Sequence, residues 1–243
     1  MPVLKRACRR RGAIKKELGR DGGKAAGLLL AAGASSRMGR PKQLLQAGQN
    51  TLLGRVLNEV LRSELDKVFL ILGHEAEKIR RSLASLSCHP KLTIVMNRDF
   101  RQGVSTSIIA GLKQAEKTHD HVMILLADMP AISANLINHL LHHYLRSGLP
   151  LGAVRIKGRR SHPVIFSRKL YPELHKLKGD RGARGLFRVY AHEVCLVDTE
   201  GIFEDSDIDT PEDYMKFKAS LQTEIGKIHE AKSEKRTSKD QRD

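Results

Sequence analysis

Tryptophan is missing from this 243-residue chain, and aromatic residues make up 4% of it. A core for a chain of this length must then be assembled from Leu, Ile, Val and Ala. No clustered aromatic platform exists on which nucleic-acid bases would stack. Cysteine is scarce too. Cys8, Cys88 and Cys195 lie far apart, form no C-x-x-C pair and, being odd in number, give no complete disulfide framework. A disulfide-stapled secreted fold is thereby disfavoured, and a reducing, cytoplasmic setting is expected. No apolar run approaches the ~20 residues needed to span a bilayer, so no membrane partner is expected. His139, His142 and His143 share a helical spacing but lack further ligands, which argues for a solvated helix face over a zinc site.

Positive charge is what the chain has in excess, at +16. It is unevenly placed. Residues 1–24 carry about +7 and the stretch beyond Met215 about +3, leaving a modestly basic body. Basic ends of this kind read as solvated extensions. Three segments follow: a basic N-terminal extension over 1–24, one domain over 25–221 and a charged tail over 222–243. A modestly basic body suits a small polyanion such as a nucleoside triphosphate. Nucleic-acid binding driven by the tails is a separate reading, and the shortage of aromatics weighs against it.

From Ala25 onward, short apolar runs alternate with helical periodicity. Gly27 to Ala32, Lys67 to Leu72, Leu92 to Met96 and Val122 to Leu126 read as buried strands. Thr51 to Ser63, His74 to Ser85, Gly103 to Lys117 and Ser133 to Arg146 read as helices. Such alternation predicts an α/β fold, a three-layer Rossmann-like domain with a mostly parallel central sheet. After Gly148 the rhythm changes. Leu151 to Ile156 and Pro163 to Phe166 read as a hairpin or mixed-sheet edge, Val194 to Asp198 as a further strand, and Thr210 to Leu221 as a helix with Pro211 in its first turn.

The segment AGLLLAAGASSRMGRPKQLL, residues 26–45, carries the strongest functional signal. Its basic flank, short apolar run and small residues have the composition of a secretory signal peptide. Cleavage after Ala34 would remove the first strand of the sheet, however, so it reads better as a strand entering a glycine-rich loop. In an open α/β sheet, ligands bind beyond the carboxyl ends of the strands, where this loop falls. Gly33 and Gly39 can take positive φ and turn backbone N–H groups toward an anion. Arg37 supplies a planar fork and Lys42 a point charge for phosphate. The loop is neither a P-loop nor a G-x-G-x-x-G dinucleotide fingerprint. Asp128 stands just past an apolar strand, and Asp209 just before a helix. Both have an ordinary role as turn or cap residues, and together they could bind Mg²⁺ with substrate phosphates. Ser105, Thr106 and Ser107 are expected to cap the helix beginning near Gly103.

Leu30-Ala-Ala-Gly33-Ala-Ser35-Ser-Arg37-Met-Gly39-Arg-Pro41-Lys42-Gln-Leu-Leu45 resembles the signature of the molybdenum-cofactor nucleotidyltransferases. Gln102-Gly-Val-Ser105, Leu126-Ala-Asp128-Met-Pro130, His162-Pro163, Gly179-Asp180-Arg181-Gly182-Ala-Arg184 and Asp207-Ile-Asp209-Thr-Pro211 follow in the family's order. Ser161 stands where the family tends to have Gly. The resemblance implies a nucleotide-diphospho-sugar-transferase-type fold and Mg²⁺ held by Asp128 and Asp209. It implies a nucleotide over Ala31, Ala32, Gly33, Ser35, Arg37, Gly39, Lys42 and Ser105, with Arg37, Lys42 and Asp128 catalytic. His162, Asp180 and Arg184 would face the acceptor. Ala31-Ala32-Gly33 resembles the cytidylyltransferase branch, implying CTP and a phosphorylated pterin as substrates and a molybdoenzyme as recipient. GTP in place of CTP, or a sugar or polyol phosphate as acceptor, are the alternatives.

Overall fold

The computed structural model describes residues 22–35, 38–199 and 207–223. Among the described residues nine strands form, in order, β1 (Ala25–Ala31), β2 (Gln46–Ala47), β3 (Asn50–Thr51), β4 (Lys67–Leu72), β5 (Leu92–Met96), β6 (His121–Leu126), β7 (Leu151–Ile156), β8 (Arg159–Ser167) and β9 (Val194–Asp198). The helices are α1 (Leu52–Arg62), α2 (Ala76–Ser82), α3 (Val104–Ala115), α4 (Ala134–Ser147), α5 (Tyr171–His175), α6 (Leu186–Val189) and α7 over residues 211–223.

Seven strands make one sheet in the order β5-β4-β1-β6-β8-β7-β9, and β2 and β3 form a separate hairpin. The pairs β1–β4, β1–β6, β4–β5 and β7–β9 are parallel, while β8 runs antiparallel to both β6 and β7. The fold is the expected α/β class. Every residue of β1 is buried, because helices cover both faces of the sheet. Alternate side chains divide between two cores. Leu29 packs with Val56, Leu57 and Val60 of α1 and Leu140 of α4, whereas Leu28 packs with Ile108 and Leu112 of α3. A fully buried leucine of this kind contributes about 1.5–3 kcal/mol through its apolar area.

Strand order also locates the crevice. The chain proceeds from β1 outward through β4 to β5 and then returns to the other flank of β1 as β6. The loops after β1 and β6 therefore diverge on either side of a topological switch point.

Two local expectations need correction, and the glycine loop adds a detail. The helix expected over His74 to Ser85 spans only Ala76–Ser82, because Glu75 holds a left-handed φ of 46° that blocks helical continuation. The hydroxyls of Ser105–Ser107 do not cap α3. Gly103 occupies the N-cap position and Asp180 Oδ1 accepts the Val104 N–H at 3.1 Å, while Thr106 and Ser107 accept from Asn97 Nδ2 at 2.9 and 3.0 Å. Gly33 does not take positive φ. Gly39 does, at 63°, and among the described residues of the loop Ser35 is also left-handed, at 52°.

Candidate active site

Pro41 leads into a single 3-10 turn, Lys42–Leu44, that sets the exit of the glycine loop. Gln43 is buried in this turn. Its Nε2 donates to Ala31 O and to Gly33 O, each at 3.1 Å, latching the loop exit to the end of β1. The Lys42 N–H donates to Ser35 Oγ at 3.2 Å, and the Met38 N–H to Ser35 O at 2.9 Å. With these bonds made, the turn aims Lys42 toward the end of β6.

There the Lys42 Nζ meets Asp128 Oδ2 at 2.5 Å and Asp209 Oδ1 at 2.9 Å. Asp128 sits one residue past the backbone bond from Ala127 N–H to Leu30 O, and its own carbonyl accepts the Ile208 N–H at 3.1 Å. Asp209 reaches the trio because α7 is docked on the loop. Ile208 and Tyr214 pack with Leu45 and Leu52, and the Tyr214 hydroxyl donates to Gln46 O at 2.9 Å. Thr210 and Asp213 cap α7 reciprocally, with Asp213 N–H to Thr210 Oγ1 at 3.2 Å and Thr210 N–H to Asp213 Oδ2 at 2.9 Å. Residues some 80 to 170 positions apart thus converge on one ammonium.

Burial alone would pull the Lys42 pKa down. The two carboxylates outweigh that cost and hold it above the ordinary lysine value, so the ammonium stays charged at neutral pH. One ammonium against two carboxylates leaves the trio one negative charge in excess. Asp128 Oδ1 is buried and has no hydrogen-bond partner among the described residues. An oxygen-rich, net-negative corner with an unspent acceptor fits a hard divalent cation shared with substrate phosphates.

Two cavities adjoin this corner. The first, about 580 Å³, is lined by Ala31, Ala32, Gly33, Lys42, Gln43 and Asp128, with Phe100, Arg101 and Ser107 on the far wall. A Cβ at Gly33 would meet nothing within 4 Å, so the loop backbone is bare toward the space in front of it. The second, about 510 Å³, has a floor of Ile108, Ile124 and Val164 and a rim of Arg160, His162 and Arg184. Leu30, Val104, Leu126 and Asp180 line both.

Of the residues singled out in the sequence, Ala31, Ala32, Gly33, Lys42 and Asp128 line the first cavity, His162 and Arg184 the second, and Asp180 both. Asp209 meets them through Lys42. Ser35 shapes the loop from behind. Gly39 is exposed on the loop, and Ser105 is buried, neither lining either of these two cavities. Arg37 lies outside the described residues. Gln43 and Asn97 escaped the sequence reading. Each is a buried amide tying a loop to a neighbouring element, and the available signal was a polar residue at the edge of an apolar run.

Comparison with known proteins places the chain in a family. The family model for the MobA-like NTP transferase domain matches residues 27–194. The chain is 31% identical over 194 residues to nicotine blue oxidoreductase of Paenarthrobacter nicotinovorans, covering 76% of this chain and 92% of that protein. It is 30% identical to the purine catabolism protein PucB of Bacillus subtilis, covering 77% and 93%. Identity to the molybdenum cofactor cytidylyltransferase of Escherichia coli K12 is 26%, covering 79% and 94%. Among solved structures, a homologue of Mycobacterium tuberculosis Rv0371c from Mycobacterium sp. strain JC1 superposes with a TM-score of 0.69 at 28% identity, over 82% of this chain and 97% of that one. Rv0371C in complex with manganese, from M. tuberculosis H37Rv, gives 0.65 at 25% identity, over 80% and 97%. The switch-point loop, the strand-end carboxylate and the family match lead to one conclusion: the chain belongs to the MobA-like NTP transferase family, whose chemistry is nucleotidyl transfer.

Proposed function

We propose that the protein transfers CMP from CTP to the terminal phosphate of a molybdopterin-type cofactor, releasing pyrophosphate. The observation that carries this reading is the pair of cavities meeting beside the Lys42–Asp128–Asp209 trio. A triphosphate fits over the bare Gly33 backbone in the first, with Ala31 and Ala32 against the base. A phosphorylated acceptor fits in the second.

In the reaction an acceptor phosphate oxygen forms a bond to the α-phosphorus of CTP. The bond from that phosphorus to the β-phosphate bridging oxygen breaks, and pyrophosphate carries away the electron pair. A phosphate nucleophile is already anionic, so no general base is required and the protein acts by positioning and charge. Lys42 would donate to the phosphates, joined by Arg37. Gln43 would keep the loop closed around them. Asp128 and Asp209 would hold a divalent cation, Mg²⁺ in the first instance, which when bound neutralises the phosphate charge between the two substrates. The manganese complex of the related Rv0371C supports a divalent ion in this family. The reading includes a cytoplasmic setting and delivery of the product to a molybdoenzyme. Among the described residues both cysteines are free, and no helix is long and apolar enough to cross a membrane.

A panel of four NTPs against molybdopterin, sugar phosphates and polyol phosphates tests the reading by pyrophosphate release and product mass, with Mg²⁺ and Mn²⁺ in parallel. The expected result is a CMP adduct of molybdopterin. A GMP adduct would reassign the base, and a nucleotidyl sugar would reassign the acceptor.

A further inference from the structure

The second cavity has an electrostatic feature that the family comparison does not assign. Arg155 and Arg160 face each other across the β7–β8 pair. Like charges directly opposite repel, and Arg155 is relieved by a two-pronged bond to Asp198, at 2.7 and 2.6 Å. Arg160 has no acidic partner among the described residues. Its guanidinium instead lies over the Phe187 ring, 4.1 Å from the centroid. Partial burial and the nearby charge of Arg184 both push its pKa below the usual arginine value. Two guanidiniums held near one another at the rim of a concave surface make an anion site.

The Arg160 side chain and the turn that carries Arg184 are also held in place. Stacking on Phe187 restrains Arg160. Arg184 belongs to the turn Gly179–Gly185, which is seated on the start of α3. A Cβ at Gly103 would fall 2.4 Å from the Gly179 carbonyl carbon, so only glycine permits that approach. Asp180 completes the seat by accepting the Val104 N–H. Beneath the pair the floor is aliphatic: Leu30, Ile108, Ile124, Leu126 and Val164.

We propose that Arg160 and Arg184 form a two-guanidinium clamp that binds the phosphomonoester of the acceptor and, with the apolar floor, selects a phosphate carried on a flat ring system over a phosphorylated sugar. Arg160 is thus a specificity residue for the acceptor side of the reaction. Guanidinium forks match phosphate oxygens in pairs, so two of them favour a dianionic phosphomonoester over a monoanion. The proposal rests on the assignment of the second cavity to the acceptor.

The test uses full-length protein loaded with CTP, and 2-naphthyl phosphate as a probe followed by its fluorescence. Wild type should bind it at least 10-fold more tightly than 2-naphthol or glucose 1-phosphate. Arg160→Ala and Arg184→Ala should each weaken the probe roughly 10- to 100-fold while changing CTP affinity less than 2-fold. Arg160→Lys, which keeps the charge and loses the fork, should fall between. An unchanged probe affinity in Arg160→Ala overturns the clamp. So does a loss of CTP affinity with the probe unaffected, since the guanidiniums would then serve the triphosphate. Because the probe does not require turnover, a protein that binds it as predicted yet fails to react with molybdopterin refutes the proposed acceptor and keeps the clamp. Turnover of molybdopterin with an unaltered acceptor KM in Arg160→Ala refutes the clamp alone.

Discussion

The two ends of the same parallel strands are built on opposite rules. At the amino ends of β1, β4 and β6 most polar groups find partners, Ser167 Oγ opposite His121 being an exception among the described residues. Asp120 accepts the Lys24 N–H and Asp66 the Ala25 N–H, both at 3.0 Å. His121 lies between the Tyr144 hydroxyl and Gly22 O, at 3.0 Å each, and the Tyr171 hydroxyl donates to His119 O at 3.1 Å. At the carboxyl ends the chain leaves Asp128 Oδ1 with no hydrogen-bond partner among the described residues, gives one lysine to two carboxylates, and keeps Gly33 bare. Satisfied polar networks hold a fold together. Unsatisfied ones cost stability and are kept where a ligand completes them.

The sharpest way to break this contrast is at Asp128. Asp128→Asn removes one charge from the catalytic corner and should lower turnover about 10²-fold or more while the thermal midpoint stays close to wild type. Near-normal pyrophosphate release would take Asp128 out of the chemistry. At the opposite end, Tyr144→Phe should do the reverse. It deletes a buried hydroxyl bonded to His121 and should cost about 1–3 kcal/mol in denaturant unfolding, with kcat unchanged. A loss of kcat with stability intact would erase the distinction between the two ends.

Smaller effects sharpen the picture. Gly33→Ala places a methyl in open space at an ordinary φ, so stability should be preserved. A triphosphate lying on that backbone would meet the methyl, raising KM for the nucleotide on the order of 10-fold and leaving the acceptor KM alone. The pH dependence of stability should report the amino end. Burial lowers the pKa of both His119 and His121, so the fold holds them neutral. Their contribution is fully present above the unfolded value near 6.5 and is lost as pH falls through the lowered folded values. Unfolding midpoints measured from pH 7.5 down to 5 should decline, and His121→Asn should flatten part of that decline.

Most strands of the sheet were legible because they are short, largely apolar runs. Lys67–Leu72, Leu92–Met96, Leu151–Ile156 and Val194–Asp198 coincide with their sequence expectation. The strand expected at Pro163 to Phe166 extends to Arg159–Ser167, because pairing with β6 and β7 on either side overrides the polarity of Arg159 and Arg160. The β2–β3 hairpin went unread, since two-residue strands carry no periodicity. In the site, Lys42, Asp128 and Asp209 could be named from charge and position, but their shared contact depends on α7 docking against Leu45 and Leu52. Gln43 and Asn97 owe their roles to partners that local sequence does not reveal: backbone carbonyls 10 and 12 residues away for one, hydroxyls 9 and 10 residues on for the other. Asp180 capping a helix that starts 76 residues earlier belongs to the same class.

The most direct test of the carboxyl-end site is the mass of the product formed from CTP, molybdopterin and Mg²⁺ by wild type and Asp128→Asn side by side. A CMP-molybdopterin adduct with equimolar pyrophosphate, made by wild type and slowed at least about 10²-fold by the substitution, is the predicted result. Equal rates in both proteins, or no pyrophosphate from any nucleotide and acceptor pair, would contradict it.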